Sequence, residues 1–333
     1  MSATSRGALL SAALSLAVGC SPVSVRSTPS EATVAAHVAE ATRVAGSDLQ
    51  GLIGLCKPAP ATRPSQTDVD KGVAAQINRP PPEPGKAFDN LYFVGAAWVS
   101  AWALKTSDGI ILIDALNNPL EAAGLIEGGM RKVGLDPKDI KYLIVTHAHG
   151  DHYGGANYLV QKYRPRVVMS ESDWKMTESQ LEFTSSMWGA PPKRDISVTD
   201  GEKITLGDTT VTMYVTPGHT MGTISPVFDV KSGGKTHRAM LWGGTAFNFG
   251  KDLPRLDGYI NATQRMIEVT NQQTVDVMLS NHASYDATVA KLDQLRKQSG
   301  TEPNPFVIGV PNVRRSLTVM NECAQATRDR FSL

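Results

Sequence analysis

Cysteine, aromatic residues and net charge are all in short supply in this chain. Its 333 residues hold three cysteines and 6% aromatics, and 33 Lys and Arg against 32 Asp and Glu leave a formal net charge of +1. So even a balance offers no basic surface for nucleic acid and no polybasic patch for anionic membranes. A spanning segment is also missing, because the apolar stretch Ala8–Val18 is too short to cross a bilayer as a mature helix. Short-period repeats and long low-complexity tracts do not occur. What remains, at 41% hydrophobic and 20% charged residues, is the composition expected of a soluble globular enzyme. Its length allows ample surface to be buried in a core.

The N-terminus departs from that composition. Arg6, the apolar stretch and the pair Gly19–Cys20 follow one another in the order of an export signal. Residues 1–19 resemble a bacterial lipoprotein signal, whose cleavage would leave Cys20 as a lipidated N-terminus. Without lipidation the same segment still serves as a secretory signal. The resemblance implies an exported, periplasmic protein that meets a bacterial membrane only through that anchor. Cys56 and Cys323 are then left in an oxidising compartment, either as a disulfide or as two inert thiols, since sequence does not give their separation. Beyond the signal, residues 20–86 read as a Ser/Pro/Thr tether, a helix over Ala32–Leu55 and an extended, proline-rich strap from Pro60 to Lys86.

From residue 87 to 333 strands and helices alternate. Apolar runs predict strands at Leu91–Gly95, Trp98–Leu104, Gly109–Asp114, Ile140–Val145 and Arg166–Met169, with helices over Pro119–Val133 and Gly154–Lys162. A second strand-rich stretch covers residues 195–243. It is followed by a helix at Gly258–Val269, a strand at Val275–Leu279 and helices at Ala287–Gln298 and Ser316–Phe331. Two β-then-α halves predict a four-layer αββα sandwich.

Chemistry concentrates where these strands end. Directly after the run Tyr142–Val145, the loop Thr146–Gly155 carries His147, His149, Asp151 and His152. Three of the chain's seven histidines fall in that window, which a solvated polar loop does not explain. Neutral imidazole and carboxylate oxygen are the donors that zinc accepts at about 2.0–2.2 Å. One loop cannot surround two ions, and His219 and His282 each follow a strand end as well. His37 and His237 have no such setting and read as surface residues.

The pattern His-x-His-x-Asp-His after a buried strand resembles the metallo-β-lactamase superfamily. The wider match, over residues 87–298, resembles the subclass of metallo-β-lactamases that uses histidine and aspartate alone. It implies a first zinc held by His147, His149 and His219, and a second held by Asp151, His152 and His282. It also implies Asp151 as the catalytic carboxylate that orients the attacking hydroxide, and Asp114 as the residue behind the ligands that fixes their loop. Opening of a β-lactam ring is the implied activity. An exported lactone, ester or other amide hydrolase, or a non-catalytic metal-binding lipoprotein, are the alternatives.

One departure bears on substrate. Gly244 stands where many lactonases, glyoxalases and thioesterases of the superfamily carry a metal-bridging aspartate, and where the histidine-only lactamases offer a serine. Thr245 and Asn248 are the nearest polar replacements. Tyr153, Trp174, Trp188 and Phe247 are expected around the site, whereas Trp242, within a strand, reads as core. Residues 171–192 are expected as a rim and Trp188 as a substrate contact.

Overall fold

The structure is a computed structural model and describes Met1 and residues 28–300 and 302–333. The expected signal and the lipidation candidate Cys20 lie outside the described residues.

The first sheet contains β1 (Gly85–Phe88), β2 (Leu91–Phe93), β3 (Trp102–Thr106), β4 (Gly109–Ile113), β5 (Ile140–Ile144), β6 (Arg166–Ser170) and β7 (Ile196–Val198), in that spatial order. β1 to β4 pair antiparallel, and β4 to β7 pair parallel. The second sheet contains β8 (Lys203–Leu206), β9 (Thr209–Val215), β10 (Ile224–Ser232), β11 (Lys235–Trp242) and β12 (Val277–Ser280), in the order β12-β11-β10-β9-β8. Only β11 and β12 run parallel there.

Three separate cores account for the four layers expected from sequence. Between the sheets, Trp102, Ile111, Ile113 and Ile144 meet Val211, Phe228, Leu241 and Leu279. The alternate residues Leu112, Leu143, Val145 and Val167 face outward onto Ile126, Met130 and Leu159 of the helical layer beside the first sheet. Met240, Trp242 and Met278 do the same on the second sheet. They pack against Leu256, Tyr259 and Met266 of helix Leu253–Gln272 and against Leu317 and Met320 of helix Val310–Ser332. Strands buried on both faces read as continuous apolar runs, which is why β4 and β5 stand out in the sequence.

Most of the expected Ser/Pro/Thr tether lies outside the described residues, and the helical stretch after it is packed on the domain. Helix Glu31–Ala45 starts with a capping box at Ser30 and lies against helix Val310–Ser332. The Cys56–Cys323 disulfide joins the following turn to that same helix. The strap expectation needs correction, because residues Gln66–Ile77 are helical. Ser65 caps them by accepting from the Asp68 backbone amide, and Pro64 and Pro80 sit just outside the two ends, where they do no harm.

Candidate metal centre

Four loops at strand ends meet at one edge of the sandwich: those after β5, β9, β11 and β12. His147, His149, Asp151 and His152 follow β5, His219 follows β9 and His282 follows β12, and the fold brings all six together.

The backbone of the first loop is held from behind by Asp114. This residue takes the left-handed conformation, φ 63°, at the end of β4. From there one carboxylate oxygen accepts the Thr146 amide (2.8 Å), and the other accepts the Thr146 hydroxyl (3.0 Å) and His152 Nδ1 (2.8 Å). A non-glycine residue at positive φ is costly, and the three hydrogen bonds it makes possible offset that cost.

Each imidazole is oriented through its other nitrogen. His147 Nδ1 donates to the Gly243 carbonyl (2.8 Å), His219 Nδ1 to the Ala246 carbonyl (2.7 Å) and His282 Nδ1 to the Trp98 carbonyl (3.0 Å). His149 is turned the opposite way. Its Nε2 donates to Glu182 Oε2 (3.2 Å), which leaves Nδ1 for the cluster. Such outer partners fix tautomer and aim together.

With the tautomers so fixed, the inward nitrogens confront one another. His147 Nε2 and His219 Nε2 stand 3.1 Å apart, and His152 Nε2 and His282 Nε2 stand 3.3 Å apart. Both members of each pair already donate from Nδ1, so as neutral rings they present two lone pairs and no proton between them. Burial among the other imidazoles holds His147 and His219 well below the ordinary histidine value, which disfavours a shared proton. A cation between the nitrogens resolves the conflict. Two donors at about 2.0–2.1 Å from one tetrahedral ion stand roughly 3.3–3.4 Å apart, close to the spacings here. Asp151 Oδ2 completes the second group at 3.4 Å from His152 Nε2 and 3.7 Å from His282 Nε2. Burial opposes ionisation of Asp151, but the neighbouring histidines outweigh it and hold the carboxyl well below its usual range. Burial likewise lowers His152, yet the Asp151 and Asp114 carboxylates push it up to about 10, and burial takes His282 down to about 4. A proton on His152 can therefore stand between this second pair where a cation would otherwise sit; the conflict without a proton belongs to His147 and His219. In spacing and in donor type the set fits two zinc ions.

A pocket of 390 Å³ opens over this cluster. One wall is the unforeseen helix Gln66–Ile77, through Val69, Val73 and Gln76 with Arg79 just beyond; the other includes Trp98, Phe183, Trp188 and Tyr285. Asp70 joins the two sides of the canopy by accepting from the Ser185 hydroxyl (2.6 Å) and the Ser186 amide (2.9 Å). Trp188 lines the pocket as expected, with its Nε1 donating to Asn117 (2.9 Å). Its ring lies so close to Gly150 that a Cβ there would come within 2.4 Å of it.

Other expected contacts are placed differently. Tyr153, Trp174 and Phe247 are buried in the helix-facing cores, as is Trp242, whose place in a strand implied it; the aromatic wall is built from Trp98, Phe183 and Tyr285 beside Trp188. Thr245 does not line this pocket but a neighbouring cavity; Asn248 does line it, with a buried Oδ1 that has no partner. His37 and His237 lie away from the cluster but are half-buried, paired to Glu322 and Asp276 (both 2.6 Å) rather than free on the surface. Ser225, just past the His219 loop, is buried in β10 against Thr216.

Glu182, Asp173 and Arg255 were not foreseen. Asp173 Oδ2 accepts from the Ala148 amide and the Thr220 hydroxyl (both 2.8 Å), fastening the first ligand loop to the loop of His219. Glu182 is only 4% exposed and is held between His149 and the Arg255 guanidinium. Burial raises its carboxyl, but His149 and Arg255 outweigh that and leave it at about 2. Glu182→Gln is expected to weaken zinc binding roughly tenfold with the fold retained, as read by competition with a chromophoric chelator beside near-ultraviolet circular dichroism. Unchanged affinity would mean that His149 needs no such partner.

Residues 97–232 match the family model described as the metallo-beta-lactamase superfamily. A hydroxyacylglutathione hydrolase of Rhodopseudomonas palustris is 33% identical over 131 residues, which are 39% of this chain and 42% of that protein. The chain thus spans well under half the length of such curated relatives. The crystal structure of BJP-1, a subclass B3 metallo-beta-lactamase of Bradyrhizobium japonicum, is 27% identical with a TM-score of 0.61, covering 74% of this chain and 92% of that one. The class B3 di-zinc metallo-beta-lactamase LRA-12, from an Alaskan soil metagenome, shares the fold at 21% identity and a TM-score of 0.64, covering 82% and 100%.

Proposed function

From a chain that belongs to the metallo-β-lactamase superfamily, by sequence over residues 97–232 and by fold, we infer a dizinc hydrolase that opens the ring of β-lactams. The observation that carries the metal assignment is the opposition of the His147 and His219 nitrogens at 3.1 Å, with Asp151, His152 and His282 gathered beside them. His147, His149 and His219 would hold one ion, and Asp151, His152 and His282 the other. Bound there, zinc supplies activation of water at neutral pH and polarisation of a carbonyl.

The protein's own groups do the rest. Asp151, held ionised, orients the attacking water and takes up its proton. Trp98, Phe183 and Trp188 offer flat apolar surface to a bicyclic substrate, while helix Gln66–Ile77 shields the reaction from bulk water. The anionic group of the substrate falls to Arg79, which apart from the histidines is the sole basic side chain lining the pocket among the described residues, and to Asn248.

Gly244 favours this reading over the thioester and lactone branch. A Cβ at that position would stand 2.7 Å from His219 Cβ and 2.9 Å from its Cδ2. A bridging aspartate therefore has no room unless a metal ligand moves. The second reading, an acyl-thioester or lactone hydrolase, draws its support from the 33% identity to hydroxyacylglutathione hydrolase. Zinc-loaded protein assayed side by side on a penicillin, a carbapenem, an acyl-homoserine lactone and a hydroxyacylglutathione separates the two. Turnover of the thioester or lactone without β-lactam turnover would replace the first reading with the second. Chelator should abolish whichever activity is present.

Arg79→Ala is expected to raise KM for a carboxylate-bearing β-lactam about fivefold, as the loss of a partly exposed charged contact worth about 1 kcal/mol. A neutral ester analogue should be unaffected, and equal loss on both substrates would remove Arg79 from the anion-holding role. The Cys56–Cys323 bridge is consistent with export to an oxidising compartment, which the segment 1–19 would direct.

A further inference from the structure

A second cavity, of 400 Å³, adjoins the metal pocket and shares Ser284 and Tyr285 with it. This volume lies in the range of small-molecule sites, about 300–1,000 Å³. Most of its wall is apolar: Leu52, Trp242, Met278, Leu279, Ile308 and Met320. The charged groups on that wall differ in how they are held. Asp48 and Asp286 are already engaged, the first by both terminal nitrogens of Arg315 (2.7 and 2.9 Å). The second is engaged by the Ser280 amide (2.9 Å) and by the amide and hydroxyl of Thr288 (3.1 and 2.6 Å).

Thr245 and Lys291 are not engaged in this way. Thr245 is 1% exposed, and its hydroxyl has no hydrogen-bond partner. A buried polar group left so costs about 1–3 kcal/mol, a cost that a ligand would relieve. Lys291 makes no ion pair within 4 Å among the described residues, and its ammonium stands 5.2 Å over the Phe306 ring. Burial holds it below the ordinary lysine value, offset in part by the Asp286 carboxylate at longer range. A largely apolar wall with the unbonded Thr245 hydroxyl and an ammonium outside ion-pair distance of any carboxylate among the described residues is complementary to an apolar body bearing one acid group.

We propose that this cavity is a second, non-catalytic site for a small amphipathic carboxylate, with Lys291 supplying the charge and Thr245 the hydrogen bond. Its position gives it a route to the metal centre. Thr245 sits between Gly243 and Ala246, whose carbonyls hold His147 and His219 at 2.8 and 2.7 Å. An occupant bonded to Thr245 therefore steadies the loop that aims two ligands, independently of which substrate the metal pocket takes.

The test titrates the full zinc-loaded chain with decanoate and with the neutral analogue decanol by calorimetry, then repeats the titration after zinc removal. One decanoate per chain is expected in both states. Ile308→Trp, which fills the cavity from the side away from the metal pocket, should abolish that binding while zinc content and turnover persist. Lys291→Gln should weaken decanoate about tenfold and leave decanol unchanged. Backbone amides of residues 243–248 should gain protection from hydrogen exchange when decanoate binds. Absence of binding, binding that vanishes with the zinc, or binding indifferent to both variants overturns the site. Equal binding of decanol, insensitive to Lys291→Gln, overturns the carboxylate assignment.

Discussion

Replacing His147 with alanine is expected to abolish turnover, by more than about 10³-fold, because activation of water at neutral pH depends on the bound metal. The effect should exceed that of any other single ligand. His147 is common to both groups of candidate donors, the one with His149 and His219 and the one with Asp151 and His152. Its ring also packs 4.2 Å from the His152 ring and 4.5 Å from the His219 ring, so truncation loosens the partners as well. The fold should survive, since the Gly243 carbonyl that loses His147 Nδ1 keeps the Asn281 side-chain amide at 2.6 Å. Zinc content by atomic emission is expected to fall together with kcat/KM. His237→Ala is the matched control: it removes an imidazole paired to Asp276, away from the cluster, and should change neither quantity. Turnover unchanged in His147→Ala would refute the metal assignment, and turnover lost with both zincs retained would move His147 from ligand to another role.

How much of this centre could be read in the chain follows from how local each signal is. The six donors are legible because each follows a strand whose apolar run is visible on its own, and because four of them share one loop. The groups that aim the donors are not. Glu182 reaches His149 from 33 residues away, and Asp173 reaches Ala148 and Thr220 across 25 and 47. Nothing in their neighbouring sequence distinguishes them from surface acids.

Aromatic residues fail for a related reason. Trp174 and Trp188 both lie in the stretch after β6, yet Trp174 is fully buried under the first sheet and Trp188 stands in the pocket. Composition cannot separate a core wall from a site wall when both are apolar. The helix Gln66–Ile77 was hidden by the prolines on either side of it. Its own signal is the Ser65 cap and the pair Val69 and Val73, one turn apart, which face the site rather than a core. For the tryptophans local pattern gave the segment but not its role, which depended on what the rest of the fold laid against it; for the helix the flanking prolines masked the element itself.

The disulfide ties these two levels together, and its removal carries the largest expected effect on stability. Cys56 and Cys323 are separated by 267 residues, so their bridge closes most of the described chain into one loop. Constraint of so long a loop in the unfolded state is worth about 3–5 kcal/mol, and both sulfurs are buried, at 4% and 0% exposure. At about 2–4 °C per kcal/mol for a domain of this order of size, the Cys56→Ser, Cys323→Ser double variant should lose roughly 10 °C in Tm by calorimetry. Function should respond unequally. The bridge pins the segment that leads into helix Gln66–Ile77, and that helix walls the pocket without supplying a ligand. A looser canopy holds substrate less well but leaves the six donors in place, so KM should rise while zinc content and kcat stay near their original values. Protein produced in a reducing compartment should match the double variant until it is oxidised. A Tm within about 2 °C of the parent would mean that the packing of helix Glu31–Ala45 on helix Val310–Ser332 already holds this segment without the bridge. A fall in zinc content would instead mean that the N-terminal layer supports the metal loops themselves.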